Sequence, residues 1–313
     1  MLSKVDIVIV NWNSGALLEA CLRSIAAADI SSISQVIVVD NGSIDGSADV
    51  HFAELPLVVV KAGKNLGFGK ACNLGAEHGR AEYILFLNPD TEVFRTTVSE
   101  ALESFNGPEM QRVGVVGIRM VNRVGQTQVQ CARFPSWSTF VSESSGLAHL
   151  FPRFFRSTIM AEFDHETTRD VDHVIGAFYL VRRHTFEQVG RFDERFFVYF
   201  EDLDLSRRIS DQGWRIRYLS QPVIYHRQGG TSEQIKARRL TYVLEGRFIY
   251  AQKHFDLFGR IGAQLAMLFI EPFTRTALGV LRRSPGDVTA VWFGHMLFTI
   301  SLIFPAFKNS RWR

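Results

Sequence analysis

Four short aliphatic runs mark the first third of the chain: "VDIVIV" (5–10), "QVIVVD" (35–40), "LVVVK" (57–61) and "YILFLN" (83–88). They are continuous rather than alternating and rich in Val and Ile, the composition of strands covered on both faces, as in a parallel sheet. Helix-length segments separate them, at 15–28, about 43–53 and 69–80. Strand and helix repeated in this order predict a doubly wound α/β half. Asp6 interrupts the first run, which is too short for a signal peptide, so "MLSKVDIVIVNWNS" reads as the first strand.

The second half is less regular. "VGVVGIRMV" (113–121) and "HVIGAFYLVRR" (173–183) read as strands, "DLSRRISDQGW" as a helix stopped by Gly213, and "RIRYLSQPVIYH" as one or two short strands. Residues 134–170 have poor periodicity and are expected to form a long functional or mobile loop; Arg133 and "FPSW" there suggest a lid. From Ser232, placed to cap a helix, the texture is helical throughout. The expected division is a body at 1–231 and a helical region at 232–313.

Charge divides the same way. The chain carries 35 Lys+Arg against 32 Asp+Glu, but residues 232–313 hold 12 against 5, a net +7, and residues 1–231 hold 23 against 27, a net −4. The small total gives no reason to expect nucleic acid. An acidic body with a basic, apolar tail predicts peripheral attachment to an anionic membrane surface, or a homodimer through the same helices. "VTAVWFGHMLFTISLIFPAF", with its His295 and basic end "KNSRWR", reads as an interfacial or partner-packed helix rather than a span. Three scattered cysteines (Cys21, Cys72, Cys131) form no CxxC pair and suit a reducing, cytosolic setting.

Ligands of open parallel sheets sit beyond the carboxyl ends of the strands. Those ends here carry "NWNS", "DNGS", "KNLGFG" and "NPDT". Asp40 is suited to capping a following helix or to accepting hydrogen bonds from a nucleobase or ribose, and Gly42 lets backbone approach a ligand. No GxGxxG follows the first strand, which argues against a dinucleotide-dependent dehydrogenase. Asp90 either starts a helix or supplies one carboxylate to a hard cation that bridges two phosphates. His226, at a strand end before a glycine pair, is either structural or a metal ligand.

Taken together, "VNWNS", "VVDNGSIDGS", "KNLGFGKACNLG", "YILFLNPDT", "FDERFFVYFEDLDLSRRISDQGW" and "VIYHRQGGTS" resemble the family 2 inverting glycosyltransferases, in particular their bacterial rhamnosyltransferase-like branch. The resemblance covers about residues 4 to 231. It implies a GT-A fold, a nucleoside-diphosphate sugar donor, a Mg2+ or Mn2+ ion, a glycan or lipid-linked saccharide acceptor and a single displacement. By position, Asp40 resembles the residue that holds the base. Asn11, Asn13, Asn41, Gly42, Asn65, Gly67 and Asn73 fall in the segments that line the nucleotide sugar. Asp90 matches the last carboxylate of the DxD metal motif, with Asn88 in place of the first, and His226 matches a histidine that completes the metal site in some relatives. Asp202 matches the general base, with Glu201 a second catalytic candidate.

The stretch "RFFVYFEDLDLSRR" sets aromatic residues directly before carboxylates. A carboxylate beside an aromatic wall is desolvated, which raises its pKa and suits it to take a proton from a sugar hydroxyl, while the rings can stack on the acceptor. The first turn of a helix gives the same acidic pattern. Paired carboxylates also serve glycosidases, but those need no strand-end motifs for a nucleotide and metal. A non-catalytic nucleotide-sugar sensor would be expected to lack Asp202. The resemblance favours dTDP-L-rhamnose as donor, with UDP-galactose and UDP-N-acetylhexosamine as alternatives.

Overall fold

The computed structural model describes residues 3–227 and 236–304. Gly229 and Gly230, the cap expected at Ser232 and the basic end at 308–313 lie outside them. The chain forms two compact units, one of Met1–Ala132, Ile159–Glu194 and Glu201–Thr231, the other of Arg133–Thr158, Arg195–Phe200 and Ser232–Arg313.

In the first unit the four aliphatic runs become β1 (Val5–Asn11), β2 (Ile33–Asp40), β3 (Leu57–Lys61) and β4 (Tyr83–Leu87), with α1 (Ala16–Ala26) after β1 and α2 (Phe68–His78) before β4. They pair in parallel in the order β3-β2-β1-β4. β1 and β4 are buried along their whole length, whereas β3 at the edge is half-exposed despite the same aliphatic composition. No helix forms at 43–53. Asp45 accepts hydrogen bonds from the Ser47 N–H and hydroxyl, and Gly46 takes φ +74°. Such side-chain bonds to nearby backbone compete with a helix.

The sheet then changes character. β5 (Thr91–Val93) and α3 (Thr97–Glu103) lead to β6 (Val113–Val121) and β7 (Cys131–Ala132). Residues 134–170, expected as one loop, instead contain α4 (Trp137–Ser144) and α5 (Leu147–Leu150) of the second unit, and lead into β8 (Arg169–Val171) and β9 (His173–Val174). β10 (Phe178–Arg182) enters between β4 and β6, antiparallel to both, followed by α6 (Arg183–Gln188). After α7 (Glu201–Asp211), "RIRYLSQPVIYH" forms a single strand, β11 (Arg215–His226), with an irregularity between Leu219 and Val223. β11 is parallel to β6 and antiparallel to β5 and β8, so the sheet, parallel from β3 to β4, is mostly antiparallel beyond β4.

Asp6, the charge that interrupts the first run, is fully buried in β1. Its Oδ2 accepts from the Ala81 N–H at 2.8 Å and from Arg183 at 2.7 Å, and Arg183 also donates to the Ala76 and Ala81 carbonyls. Burial of a charge is tolerated because it is paired and hydrogen-bonded. The three cysteines are buried thiols with no disulfide, and burial pushes the Cys21 and Cys131 thiols up to about 12.

The second unit contains α4, α5, α8 (Lys236–His254), α9 (Leu257–Leu265), α10 (Glu271–Leu281) and α11 (Pro285–Ile303). Ser136 opens α4 with a capping box shared with Thr139, so "FPSW" is a helix start. Phe140 of α4 packs edge-on against Phe200 and Phe255, and Phe197 stacks on Tyr242 at 5.3 Å. The aromatics before Glu201 therefore belong to this unit's own core. Between α9 and α10 a π turn at Ala266–Ile270 precedes Pro272, which has no N–H to give a regular helix. α11 buries Val291, Gly294, His295 and Phe298, and its Gly294 carbonyl accepts from the Thr241 hydroxyl of α8 at 3.1 Å. It is long and apolar enough to cross a membrane by composition, yet one face is packed within the unit.

Candidate active site

Parallel register sets the first part of the site. Asn11 lies opposite Asp40 and Asp40 opposite Lys61, so the ends of β1, β2 and β3 share one level of one rim. Asp40 does not cap a helix. Its Oδ1 accepts from the Ser43 N–H at 3.1 Å, turning the chain away, and its other oxygen has no partner among the described residues. Asn11 donates to the Ser43 and Ser47 hydroxyls, and the Asn13 side chain accepts from the Ile44 N–H. These two asparagines thus shape the 41–47 loop from within. Asn41 accepts from the Leu66 N–H at 2.7 Å and donates to Asn65 Oδ1, which also accepts from the Gly67 N–H. A Cβ at Gly42 would lie 2.8 Å from the Lys64 carbonyl carbon, so glycine is required for the two loops to touch. Asn73 is different: its amide bonds both the N–H and the carbonyl of Phe192, and also Glu194, clasping that loop instead of offering a group to a ligand.

The second part is a carboxylate and an imidazole. No helix starts at Asp90; β5 follows at once and pairs with β11, Thr91 opposite His226. That pairing sets His226 Nε2 3.5 Å from Asp90 Oδ1, both largely buried. Gln128 donates to the His226 carbonyl at 2.8 Å, which leaves its Oε1 facing His226 Nδ1 at 3.2 Å. The amide oxygen is an acceptor only, so it selects the Nδ1–H tautomer and leaves the Nε2 lone pair directed at Asp90's side. An outer partner that fixes the tautomer in this way is what a metal-ligating histidine needs. A carboxylate and a neutral imidazole fit a divalent cation such as Mg2+ or Mn2+ whose other positions go to phosphate oxygens and water. Among the described residues no third His, Cys, Asp or Glu joins them.

The third part starts α7. Asp202 Oδ2 accepts from the Gly176 N–H at 2.8 Å and Oδ1 from the Leu203 N–H at 2.8 Å. His173 Nε2 stands 3.6 Å from Oδ2. A Cβ at Gly176 would lie 3.1 Å from that oxygen, so a side chain there would press on the contact. Asp202 keeps 21% of its side chain exposed, whereas Glu201 is only 4% exposed. Burial pushes the Glu201 carboxyl well above the ordinary carboxylate range, and the Asp202 charge adds to this. The desolvation expected at the base therefore falls on its neighbour. A carboxyl that keeps its proton cannot accept another, so Asp202 is the one of the pair suited to that work. Asp204 is fully buried and pairs with Arg208 at 2.8 Å.

Two hydrogen bonds join the second and third parts. The Asn88 N–H donates to the Ala177 carbonyl at 3.1 Å, and the adjacent Gly176 N–H donates to Asp202. Gly176, Ala177, His173 and Gln128 were not singled out from the sequence.

The description "Glycosyl transferase family 2" matches residues 6–190, and "Glycosyl transferase family group 2" matches residues 120–307. An N-acetylglucosaminyl-diphospho-decaprenol L-rhamnosyltransferase of Mycobacterium tuberculosis is 28% identical over 271 residues, covering 81% of this chain and 86% of the relative. Rhamnosyltransferase WbbL of Escherichia coli is 26% identical over 54% of this chain and 62% of its own length. Among solved structures, mannosyltransferase PcManGT from Pyrobaculum calidifontis, in complex with GDP-Man and Mn2+, matches with a TM-score of 0.57 at 16% identity, covering 97% of this chain and 88% of that one. S. aureus TarS 1-349 in complex with UDP-GlcNAc matches at 0.55 and 18%, covering 92% and 79%. With a GT-A fold and helices at its C-terminal end, the chain belongs to glycosyl transferase family 2 and is a glycosyltransferase.

Proposed function

We propose that the protein transfers L-rhamnose, with inversion, from dTDP-L-rhamnose to a lipid-linked saccharide in the synthesis of a cell-surface polysaccharide. The observation that carries this is the short main-chain bridge from Asn88 through Ala177 and Gly176 to Asp202, which ties the diphosphate end of the rim to a solvent-accessible carboxylate. In this reading Asp40 receives the nucleoside, and Asn41, Gly42, Asn65 and Gly67 shape the loops around it. Asp90 and His226 hold a divalent cation, Mg2+ or Mn2+, whose charge offsets that of the diphosphate when bound. Asp202 takes the proton of the acceptor hydroxyl as its oxygen bonds to the anomeric carbon. The bond from that carbon to the diphosphate oxygen breaks, and its electron pair leaves with the nucleotide.

Choice of donor and acceptor follows the name of the mycobacterial relative, which covers most of both chains. The test is nucleotide release from dTDP-L-rhamnose, UDP-galactose and UDP-N-acetylglucosamine, with polyprenyl-diphosphate N-acetylglucosamine as acceptor and either Mn2+ or EDTA. Release is expected from dTDP-L-rhamnose alone, dependent on acceptor and on cation. Transfer from a UDP-sugar instead would replace the donor assignment, and undiminished transfer in EDTA would remove the cation role of Asp90 and His226.

We also propose that the second unit rests on the cytoplasmic face of an anionic membrane. Leu257, Phe258, Leu265, Phe269, Phe273 and Trp292 are exposed in its helices, apolar side chains that a lipid surface would cover. The net +7 of residues 232–313 complements anionic lipid. The full-length protein is expected to float with phosphatidylglycerol-containing vesicles at low salt and to be released at high salt. Phe258→Ser with Phe269→Ser should abolish flotation while leaving transfer to a short water-soluble acceptor unchanged. Flotation that survives both the substitutions and high salt would rule out this surface.

A further inference from the structure

We propose that His173 is a positioning residue for the catalytic carboxylate, acting at the end of a buried polar chain that runs Tyr179–Ser206–His173–Asp202. The inference rests on reading Asp202 as the base.

Two of the three contacts lie within hydrogen-bond distance. His173 is buried on β9, with Nδ1 2.9 Å from the Ser206 hydroxyl, and that hydroxyl is 3.0 Å from the hydroxyl of Tyr179 on β10. Ser206 lies one turn after Asp202 on α7, so a single helix carries both the carboxylate and the group that orients the imidazole. Tyr179 and Ser206 are fully buried.

The charge beside Nε2 then fixes the tautomer. Ser206 has one hydroxyl proton, two acceptor lone pairs and two neighbours. If it accepted from Nδ1–H, whichever way the Tyr179 hydroxyl turned, the Nε2 lone pair would face the Asp202 carboxylate, which is repulsive. If Tyr179 donates to Ser206 and Ser206 to Nδ1, then Nε2–H points at Oδ2, which is attractive. The negative charge at Asp202 selects the second arrangement. Burial supports it: it keeps the proton on the Tyr179 hydroxyl, and it lowers the basicity of the His173 ring against the pull of Asp202 and Asp172. His173 is therefore a neutral donor and not the final resting place of the acceptor's proton.

At 3.6 Å the contact is longer than a hydrogen bond. Closing it takes roughly half an ångström, and catalytic hydrogen bonds that are long without substrate often tighten when it binds. The closed contact gives Oδ2 two donors, Gly176 N–H and His173 Nε2–H, while Leu203 N–H holds Oδ1. The carboxylate plane is then fixed, and its remaining lone pairs face the acceptor.

The test compares His173→Phe, His173→Gln and Ser206→Ala with Asp202→Asn, using dTDP-L-rhamnose and polyprenyl-diphosphate N-acetylglucosamine, with thermal midpoints measured alongside. His173→Phe should lower kcat about 10–100-fold, the range for partners that orient a site's ligands, with KM for the donor within about two-fold. His173→Gln, which keeps an N–H donor, should recover most of that loss, and Ser206→Ala should fall between. If His173→Phe does not fold, the Gln and Ala variants carry the test, with Ser206→Ala expected to lower kcat several-fold at unchanged donor KM. A folded His173→Phe with kcat near the parent's, Gln as damaged as Phe, or Ser206→Ala at the parent rate would overturn the inference. Full activity in Asp202→Asn would instead overturn the base assignment beneath it.

Discussion

Asp202→Asn is expected to lower kcat by about 10²–10⁴-fold, the contribution of a positioned proton acceptor, while donor affinity stays near that of the parent. Asparagine matches aspartate in shape, so the change removes the charge and basicity at the cost of one hydrogen bond. It keeps an acceptor for one of the two N–H groups, Gly176 or Leu203, and turns its amide nitrogen toward the other. The loss of one hydrogen bond costs about 1 kcal/mol. Stability and activity should therefore separate: a small drop in thermal midpoint with a large loss of transfer. Nucleotide binding followed by calorimetry and transfer followed by nucleotide release would show the split. Transfer within a few-fold of the parent would move the base elsewhere.

Glu271→Leu is expected to destabilise the second unit by about 3–5 kcal/mol, the range for removing one partner of a buried ion pair. Glu271 accepts from Arg247 at 2.9 Å, from Arg275 at 2.8 Å and from the Ser144 hydroxyl at 2.8 Å. Arg275 is 41% exposed and can turn to water, but Arg247 is 5% exposed and cannot. It would keep the Phe140 carbonyl and the Ser144 hydroxyl, with Glu143 only at 3.9 Å. Adding Arg247→Met removes the stranded charge, so the double variant should regain much of the loss in urea unfolding. A double variant as unstable as the sum of the two singles would deny the coupling. Protons test the same pair. Burial alone raises the Glu271 carboxyl, but Arg247, Arg275 and Ser144 together outweigh it and hold it below its ordinary range. A depressed carboxyl stabilises the fold above its unfolded pKa of about 4.3 and loses that contribution as pH falls through the folded value. The parent should accordingly lose stability more steeply in acid than Glu271→Leu does.

Much of the nucleotide half was legible because its signals are local. Val and Ile runs with helix-length spacers specify β1 to β4, and polar residues at the ends of parallel strands must share a rim. Asp40, Asp90 and Asp202 stood out because short motifs carry them. Direction was not legible: "AFYLVRR" is as aliphatic as its neighbours, and nothing in it says that β10 runs against β4 and β6. The expected helix at 43–53 failed because Asp45, Gly46 and Ser47 close their own turn. The aromatic residues before Glu201 looked like a wall for a carboxylate, yet Phe197 and Phe200 pack among Tyr242, Phe140 and Tyr250. His173, Gly176 and Gln128 were invisible because their importance lies in what they touch, 29, 26 and 98 residues away in sequence.

Peptide groups, not side chains, set the span between Asn88 and Asp202. Ala177 gives Asn88 a main-chain carbonyl and is itself buried in the core, so volume and not polarity limits what can stand there, while a Cβ at Gly176 would press on Asp202 at 3.1 Å. A change of polar side chain nearby therefore leaves that span as it is, as a gauge block outlasts the tools fitted around it.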